Sequence, residues 1–219
     1  MYPLRMTRSL AVVVGVAALA FPSAASAASL TISPQKRCYS SGEDVHLFGT
    51  GFSPTTDPSD TSEHVQVTRG STAVGGLRTD AAGAFNGVLG LRLFSGRETR
   101  TYTATDLIDS TITASIQITV SSVRVGLQPQ NGAPGRMLRI TAHGFTTGKA
   151  LWAHVRRGKS KRNLKIGRVK GACGNLTTRR RLLPQDAAVG VYTVQFDTFR
   201  RYNADRPVKD AYTITVSRF

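Results

Sequence analysis

Cysteine is nearly absent from this chain: Cys38 and Cys173 are the only two in 219 residues. There is no CxxC pair and no histidine at ligand spacing, so a structural metal site is not expected, nor any cofactor. Tryptophan occurs once and aromatic residues make up 7%, a thin supply for the stacking platform that single-stranded nucleic acid requires. GxSxG and HExxH are missing, and His46, His64, His143 and His154 sit in no recognisable Ser/His/Asp pattern. No enzyme is expected; an unrecognised hydrolase would need His154 to meet a carboxylate and a nucleophile. The longest apolar run, Leu10 to Phe21, has 12 residues, short of the roughly 20 that span a bilayer as a helix.

Acidic residues are scarce on one side only. Residues 28–121 carry 7 Lys and Arg against 9 Asp and Glu, a net of −2. Residues 122–219 carry 20 against 4, a net of +16. Such asymmetry predicts two modules with different jobs, the second meeting something anionic.

The first residues have the pattern of a secretory signal. Arg5 and Arg8 precede the apolar run, and Ala25-Ser26-Ala27 supplies the small-x-small cleavage pattern. Cleavage is expected after Ala27. No cysteine follows for a lipid anchor, and the strand-like end AYTITVSRF shows no second anchor. A secreted product, associated with the cell surface through its charge, is the expectation.

An internal repeat divides the rest. Gly42 to Phe52 (GEDVHLFGTGF) aligns without gaps on Gly135 to Phe145 (GRMLRITAHGF), an offset of 93. Gly83 matches Gly174, Tyr102 matches Tyr192, and Ile118–Ser121 matches Ile214–Ser217, in the same order. Apolar residues alternate at Val45 and Leu47, at Leu138, Ile140 and Ala142, at Tyr192, Val194 and Phe196, and at Tyr212, Ile214 and Val216. A period of two marks strands with one buried face. The prediction is all-β: two tandem antiparallel β-sandwiches of immunoglobulin-like size, 28–121 and 122–219, joined near Ser121-Ser122.

Gly51, Phe52, Pro54, Asp80, Gly83 and Phe85 lie in the strings GEDVHLFGTGFSP and TDAAGAF. These resemble the immunoglobulin-like repeats of bacterial secreted and surface proteins. The second copy keeps Gly144, Phe145 and Gly174 but has Lys170-Gly-Ala-Cys173 in place of the acidic turn. The resemblance implies a sandwich fold and a spacer, adhesin or enzyme-appendage role. A weaker likeness, to secreted carriers of enediyne chromophores, breaks down because those have more cysteines within one domain.

Export permits a disulfide. Cys38 and Cys173, one per module, would form an interdomain bridge; two separately buried thiols are the alternative. The positive charge concentrates from Arg156 to Arg181, 26 residues with 11 Lys and Arg and no acid. Residues 156–162 read as a hairpin tip, Leu164–Ile166 as a strand, Gly167 as a bulge and Thr177–Arg181 as an adjacent strand. Pairing of these segments would give one basic face of Arg156, Arg157, Lys159, Lys161, Arg162, Lys165, Arg168, Arg179, Arg180 and Arg181. An anionic polymer or surface is the expected partner: a wall glycopolymer, a lipid headgroup or a polysaccharide, with nucleic acid less favoured. A secreted inhibitor or carrier working through its loops is the alternative. Trp152, Phe199 and Tyr202 read as packing residues, and Tyr192 as a structural strand-start tyrosine. Asp57, Asp60 and Glu63 fit no defined calcium loop, and Asp80 reads as the cap of its own turn.

Overall fold

The structure, a computed structural model, describes residues 27–57, 59–92, 94–129 and 133–217. The expected secretory signal falls on residues 1–26, outside the described residues. The described residues form strands and connecting turns, without a helix. The first half contains β1 (Ser29–Ser33), β2 (Tyr39–Ser40), β3 (Asp44–Thr50), β4 (Val65–Arg69), β5 (Thr72–Leu77), β6 (Phe85–Gly90), β7 (Arg97–Asp106) and β8 (Thr113–Ser121). The second contains β9 (Arg124–Gln128), β10 (Leu138–His143), β11 (Ala150–Arg157), β12 (Ser160–Arg168), β13 (Leu176–Arg180), β14 (Gly190–Asp197) and β15 (Asp210–Val216).

The first-half strands form two sheets, ordered β1-β3-β6 and β2-β8-β7-β4-β5. The second-half strands form β9-β10-β13 and β15-β14-β11-β12. All pairs are antiparallel except the short β2–β8 contact. Apart from β2, the two halves share one strand order. Each pair of sheets closes on its own apolar core. Leu30, Val45 and Leu47 meet Val65, Tyr102 and Val120 in the first. Val125, Leu138 and Ile140 meet Ala153, Val194 and Ile214 in the second. Strand β3 alternates exposed and buried along its whole length, because successive side chains leave a strand on opposite sides.

The repeated glycines have a steric cause. Gly83 and Gly174 hold φ of +72° and +60°. A Cβ on either would lie 2.0 Å from a carbonyl oxygen, that of Phe52 in one copy and Phe145 in the other. Only glycine tolerates both the left-handed backbone and that approach.

Strand direction orders the ends. The turns after β3 and β7 lie at the end of the first core away from the second. Residues 40–43, 96 and 121–122 lie at the junction. There Cys38 and Cys173 form a disulfide, Cα to Cα 5.1 Å. The Ser40 hydroxyl donates to the Gly144 carbonyl at 2.6 Å, and the Thr146 hydroxyl donates to Glu43 at 3.3 Å. Glu43 also pairs with Lys36. Ser122 exchanges hydrogen bonds with Gly96, and its hydroxyl lies 3.4 Å from His143 Nε2.

Gly174→Ala is expected to destabilise the protein by about 1–3 kcal/mol through backbone strain. Gly75→Ala, with open space at its Cβ, should stay within about 0.5 kcal/mol of the parent. Urea unfolding midpoints of the two variants check this.

Candidate functional site

The ten basic residues do not share one face. Strands β12 and β13 never pair: β12 is the edge of the four-stranded sheet and β13 the edge of the three-stranded one. The expected pairing of Leu164–Ile166 with Thr177–Arg181 is therefore corrected. The chain leaves β12, turns through Lys170–Asn175, and crosses to the other sheet. Both edges lie on the same flank of the sandwich, since Arg180 Nε donates to the Ile166 carbonyl at 3.1 Å. The β11–β12 register shifts near Gly167, where Leu151 pairs with Gly167 and Trp152 with Lys165.

Opposed residues on paired strands point to the same side, so the register assigns each charge. Arg156 faces Lys161, Trp152 faces Lys165 and Ala150 faces Arg168, all on the outer side of the four-stranded sheet. Arg139 faces Arg179 on the outer side of the three-stranded sheet. Arg162 opposes core residue Val155, and Arg180 opposes core residue Leu138. Being exposed, these two side chains project from the open flank between the sheets. Arg157, Lys159 and Arg181 sit at the far end, by the β11–β12 turn and the end of β13. The basic feature is an edge wrapped on three sides. Arg139 was missed because it lies outside the 156–181 run; its outward register position was the available signal.

Not every charge is free. Arg157 donates to the Val189 carbonyl at 2.8 Å and lies over the Tyr192 ring. The Arg156 guanidinium stacks 4.5 Å from the Tyr202 ring centre. Among the described residues, however, no carboxylate forms an ion pair with any Lys or Arg of the second half. Two of its four acids are committed elsewhere: Asp197 is fully buried, and Asp210 accepts from the Val125 amide at 2.6 Å. Like charges directly opposed, as at Arg139–Arg179 and Arg156–Lys161, cost up to about 1 kcal/mol each. A charge or two suffices to guard a strand edge against unwanted pairing. Strand β12 carries four and β13 two, whereas β5 and β6, which hold the same places in the first half, carry none.

Alternation places His154 outward, yet it is 1% exposed. Residues 198–209 cover it from outside, with Tyr202 edge-on at 5.8 Å between ring centres. His154 Nε2 lies 3.1 Å from Asp197 Oδ1, and Nδ1 lies 2.8 Å from Asn163 Oδ1. Both ring nitrogens face oxygen acceptors, the environment of an imidazolium. Asp197 also accepts from Gln195 Nε2 and from the Phe199 amide, each at 2.8 Å. Burial alone would lower the His154 pKa, but the hydrogen bonds to Asp197 and Asn163 outweigh it and the net shift is upward. Burial would raise Asp197, and the His154 and Phe199 bonds bring it down. This histidine meets a carboxylate and an amide, with no nucleophile in the set.

The far end of the first half holds a second polar cluster that sequence reasoning did not assemble. His64 Nδ1 lies 2.7 Å from the Thr55 hydroxyl, and Nε2 lies 2.8 Å from Asp60 Oδ2. Thr55 also touches Thr79, whose hydroxyl donates to the Ser53 carbonyl at 2.7 Å. The order hydroxyl, imidazole, carboxylate has the outline of a nucleophilic triad. Thr55 is only 6% exposed, and its own amide is spent on the Asp80 carbonyl. The cluster, with Asp106 accepting from the Ser53, Ile108 and Asp109 amides, knits three loops together. Asp57 and Asp60 accept from Ser59 and Ser62, and Asp80 caps its turn through the Ala82 and Ala84 amides. Among the described residues no group of three His, Cys, Asp or Glu could hold a metal. Tyr192 donates to the Ala188 carbonyl at 2.8 Å, a structural contact. Trp152 is half-buried, while Phe199 stays exposed beneath the Arg206 guanidinium.

No protein-family model matches the chain, and no curated protein matches it. Among solved structures it is similar to the adhesin InvE of Yersinia pseudotuberculosis, at 12% identity and a TM-score of 0.32, covering 87% of this chain and 59% of that one. The chain thus spans less than two thirds of that protein, and a TM-score of this size is too low to carry a functional argument. Among the described residues, no helix is long and apolar enough to cross a membrane.

The buried pair predicts a pH profile. His154, raised in the fold from 6.5, contributes fully below pH 6.5 and loses its contribution as pH rises through the elevated value. Asp197, lowered from 3.8, contributes above that value and loses it as pH falls through the depressed one. Asp197→Asn should cost about 3–5 kcal/mol and flatten the decline in melting temperature above pH 6.5. Thermal melts of parent and variant from pH 4 to pH 9 check the sign.

Proposed function

We propose that this chain is an exported, non-enzymatic binding or structural protein built of two tandem immunoglobulin-like sandwiches, with residues 1–27 as the cleaved secretory signal. Its second sandwich attaches the molecule to an anionic polymer or surface of the cell envelope or extracellular matrix. The first sandwich, near neutral, acts as a spacer.

The observation that carries this reading is the contrast between corresponding edges. Six Lys and Arg stand on β12 and β13, and none on β5 and β6. The shared strand order makes the charge dispensable to the fold, and the opposed like charges oppose folding. An anionic ligand offsets that repulsion and explains why no internal acid neutralises it. The pattern of Arg5, Arg8 and the 12-residue apolar run supports export.

Retention of the mature protein on immobilised anionic wall polymer, eluted by a salt gradient, tests the reading. Near an anionic surface each basic residue is worth about 1 kcal/mol. Replacing Lys161, Arg162, Lys165, Arg168, Arg179 and Arg180 by Gln should therefore weaken binding at least about a thousandfold. Binding by the parent should also fall steeply with salt. Retention indifferent to salt, or unchanged in the variant, contradicts the reading and points to a shape-driven complex through the loops.

A further inference from the structure

We infer that the ligand of the basic edge is a flexible linear polyanion that crosses the edge and touches both outer faces of the second sandwich, not a flat anionic surface such as a bilayer. The inference rests on the proposed function and narrows its ligand.

The geometry separates the charges into three strips. One strip, Lys161, Lys165 and Arg168, points out from the four-stranded sheet. A second, Arg139 and Arg179, points out from the three-stranded sheet, in the opposite direction. Arg162 and Arg180 stand on the open flank between them. Packed sheets lie about 10 Å apart, which places outward-pointing heads on the two faces roughly 20 Å from each other. The Debye length at physiological salt is about 8 Å. A plane resting on one face therefore leaves the other strip screened, and the unmatched Arg139–Arg179 repulsion stays unrelieved. A plane resting on the flank meets chiefly Arg162 and Arg180.

A linear chain of anionic repeats has no such limit. It bends over the flank and neutralises all three strips in one path. The crossing point is built for this. Arg180 spends Nε on the Ile166 carbonyl of the neighbouring sheet, which fixes the guanidinium across the gap. Its two terminal nitrogens make no hydrogen bond to the described residues, leaving the half of the fork that recognises phosphate, sulfate or carboxylate. Along β12, Lys161 and Lys165 are four residues apart, about 13 Å at strand rise, with Arg162 projecting from the flank between them. The charges form a staggered track and no flat array.

Three variants separate the strips: Lys161→Gln/Lys165→Gln/Arg168→Gln, Arg162→Gln/Arg180→Gln and Arg139→Gln/Arg179→Gln. All seven positions are exposed, and thermal melting confirms that each variant folds. The probes are long-chain inorganic polyphosphate and phosphatidylglycerol vesicles, titrated at two salt concentrations. A wrapped polymer requires every variant to bind polyphosphate at least about tenfold more weakly and with a shallower salt dependence. Vesicle binding should be weaker in the parent and should respond chiefly to one strip. The inference is overturned when the Arg139→Gln/Arg179→Gln variant binds polyphosphate like the parent, or when vesicles bind as tightly as polyphosphate. A parent that binds neither probe overturns the proposed function itself, and the ligand assignment with it.

Discussion

The Cys38–Cys173 disulfide is the constraint on which the arrangement of this molecule depends. Cys173 sits in the turn that carries the chain from β12 to β13, from one sheet of the second sandwich to the other. Cys38 precedes β2 of the first sandwich. The bond therefore fastens the start of the basic edge to the neighbouring core. It closes a sequence separation of 135 residues, worth about 5 kcal/mol in the chain-entropy model. Around it, Ser40, Glu43 and Thr146 supply the polar contacts that such a junction needs once water is excluded.

The crossing from one sheet to the other between β12 and β13, which β5 and β6 also make, explains the shape of the charged feature. A hairpin within one sheet would have laid the lysines and arginines of β12 and β13 side by side on one face. A crossing turn instead puts them on adjoining edges of two sheets, with side chains leaving in three directions. The arrangement spreads the repulsion, since fewer like charges stand directly opposite each other. It also exposes a continuous basic flank where the first sandwich has an uncharged one built from TAVGGL and FNGVLG. One strand order, found in both halves, carries a plain edge in the first and a charged edge in the second. The buried His154–Asp197 pair serves a different end. It pins residues 198–209 against the outer side of the four-stranded sheet, and Tyr202 in turn anchors Arg156 beside that sheet's basic strip.

Much of the fold was legible in the sequence because side-chain direction in a strand depends only on parity. The alternation in β3, β10, β14 and β15 marked their buried faces directly, and the matched Gly-Phe segments fall at corresponding turns of the two halves. The reason for Gly83 and Gly174 was not legible, because it is the approach of a distant carbonyl. The partner of a strand is also non-local. Leu164–Ile166 and Thr177–Arg181 read the same whether they share a sheet or straddle an edge, so the single basic face was a misreading of adjacency, not of charge. The burial of His154 was not legible for a similar reason. Its parity does point outward, but residues more than 40 positions later cover it. The Thr55–His64–Asp60 cluster gathers residues from one loop that no spacing rule marks, and Thr79 and Asp106 join that loop from distant segments.

Hydrogen–deuterium exchange of the oxidised protein, with and without long-chain polyphosphate, tests the central claim most directly. The account predicts slowed exchange in segments covering residues 160–168, 176–181 and 138–143, on both sides of the edge, with residues 72–77 and 85–90 of the first sandwich unchanged. Protection confined to one of the two sheets, or centred on the loops of the first sandwich, would contradict it.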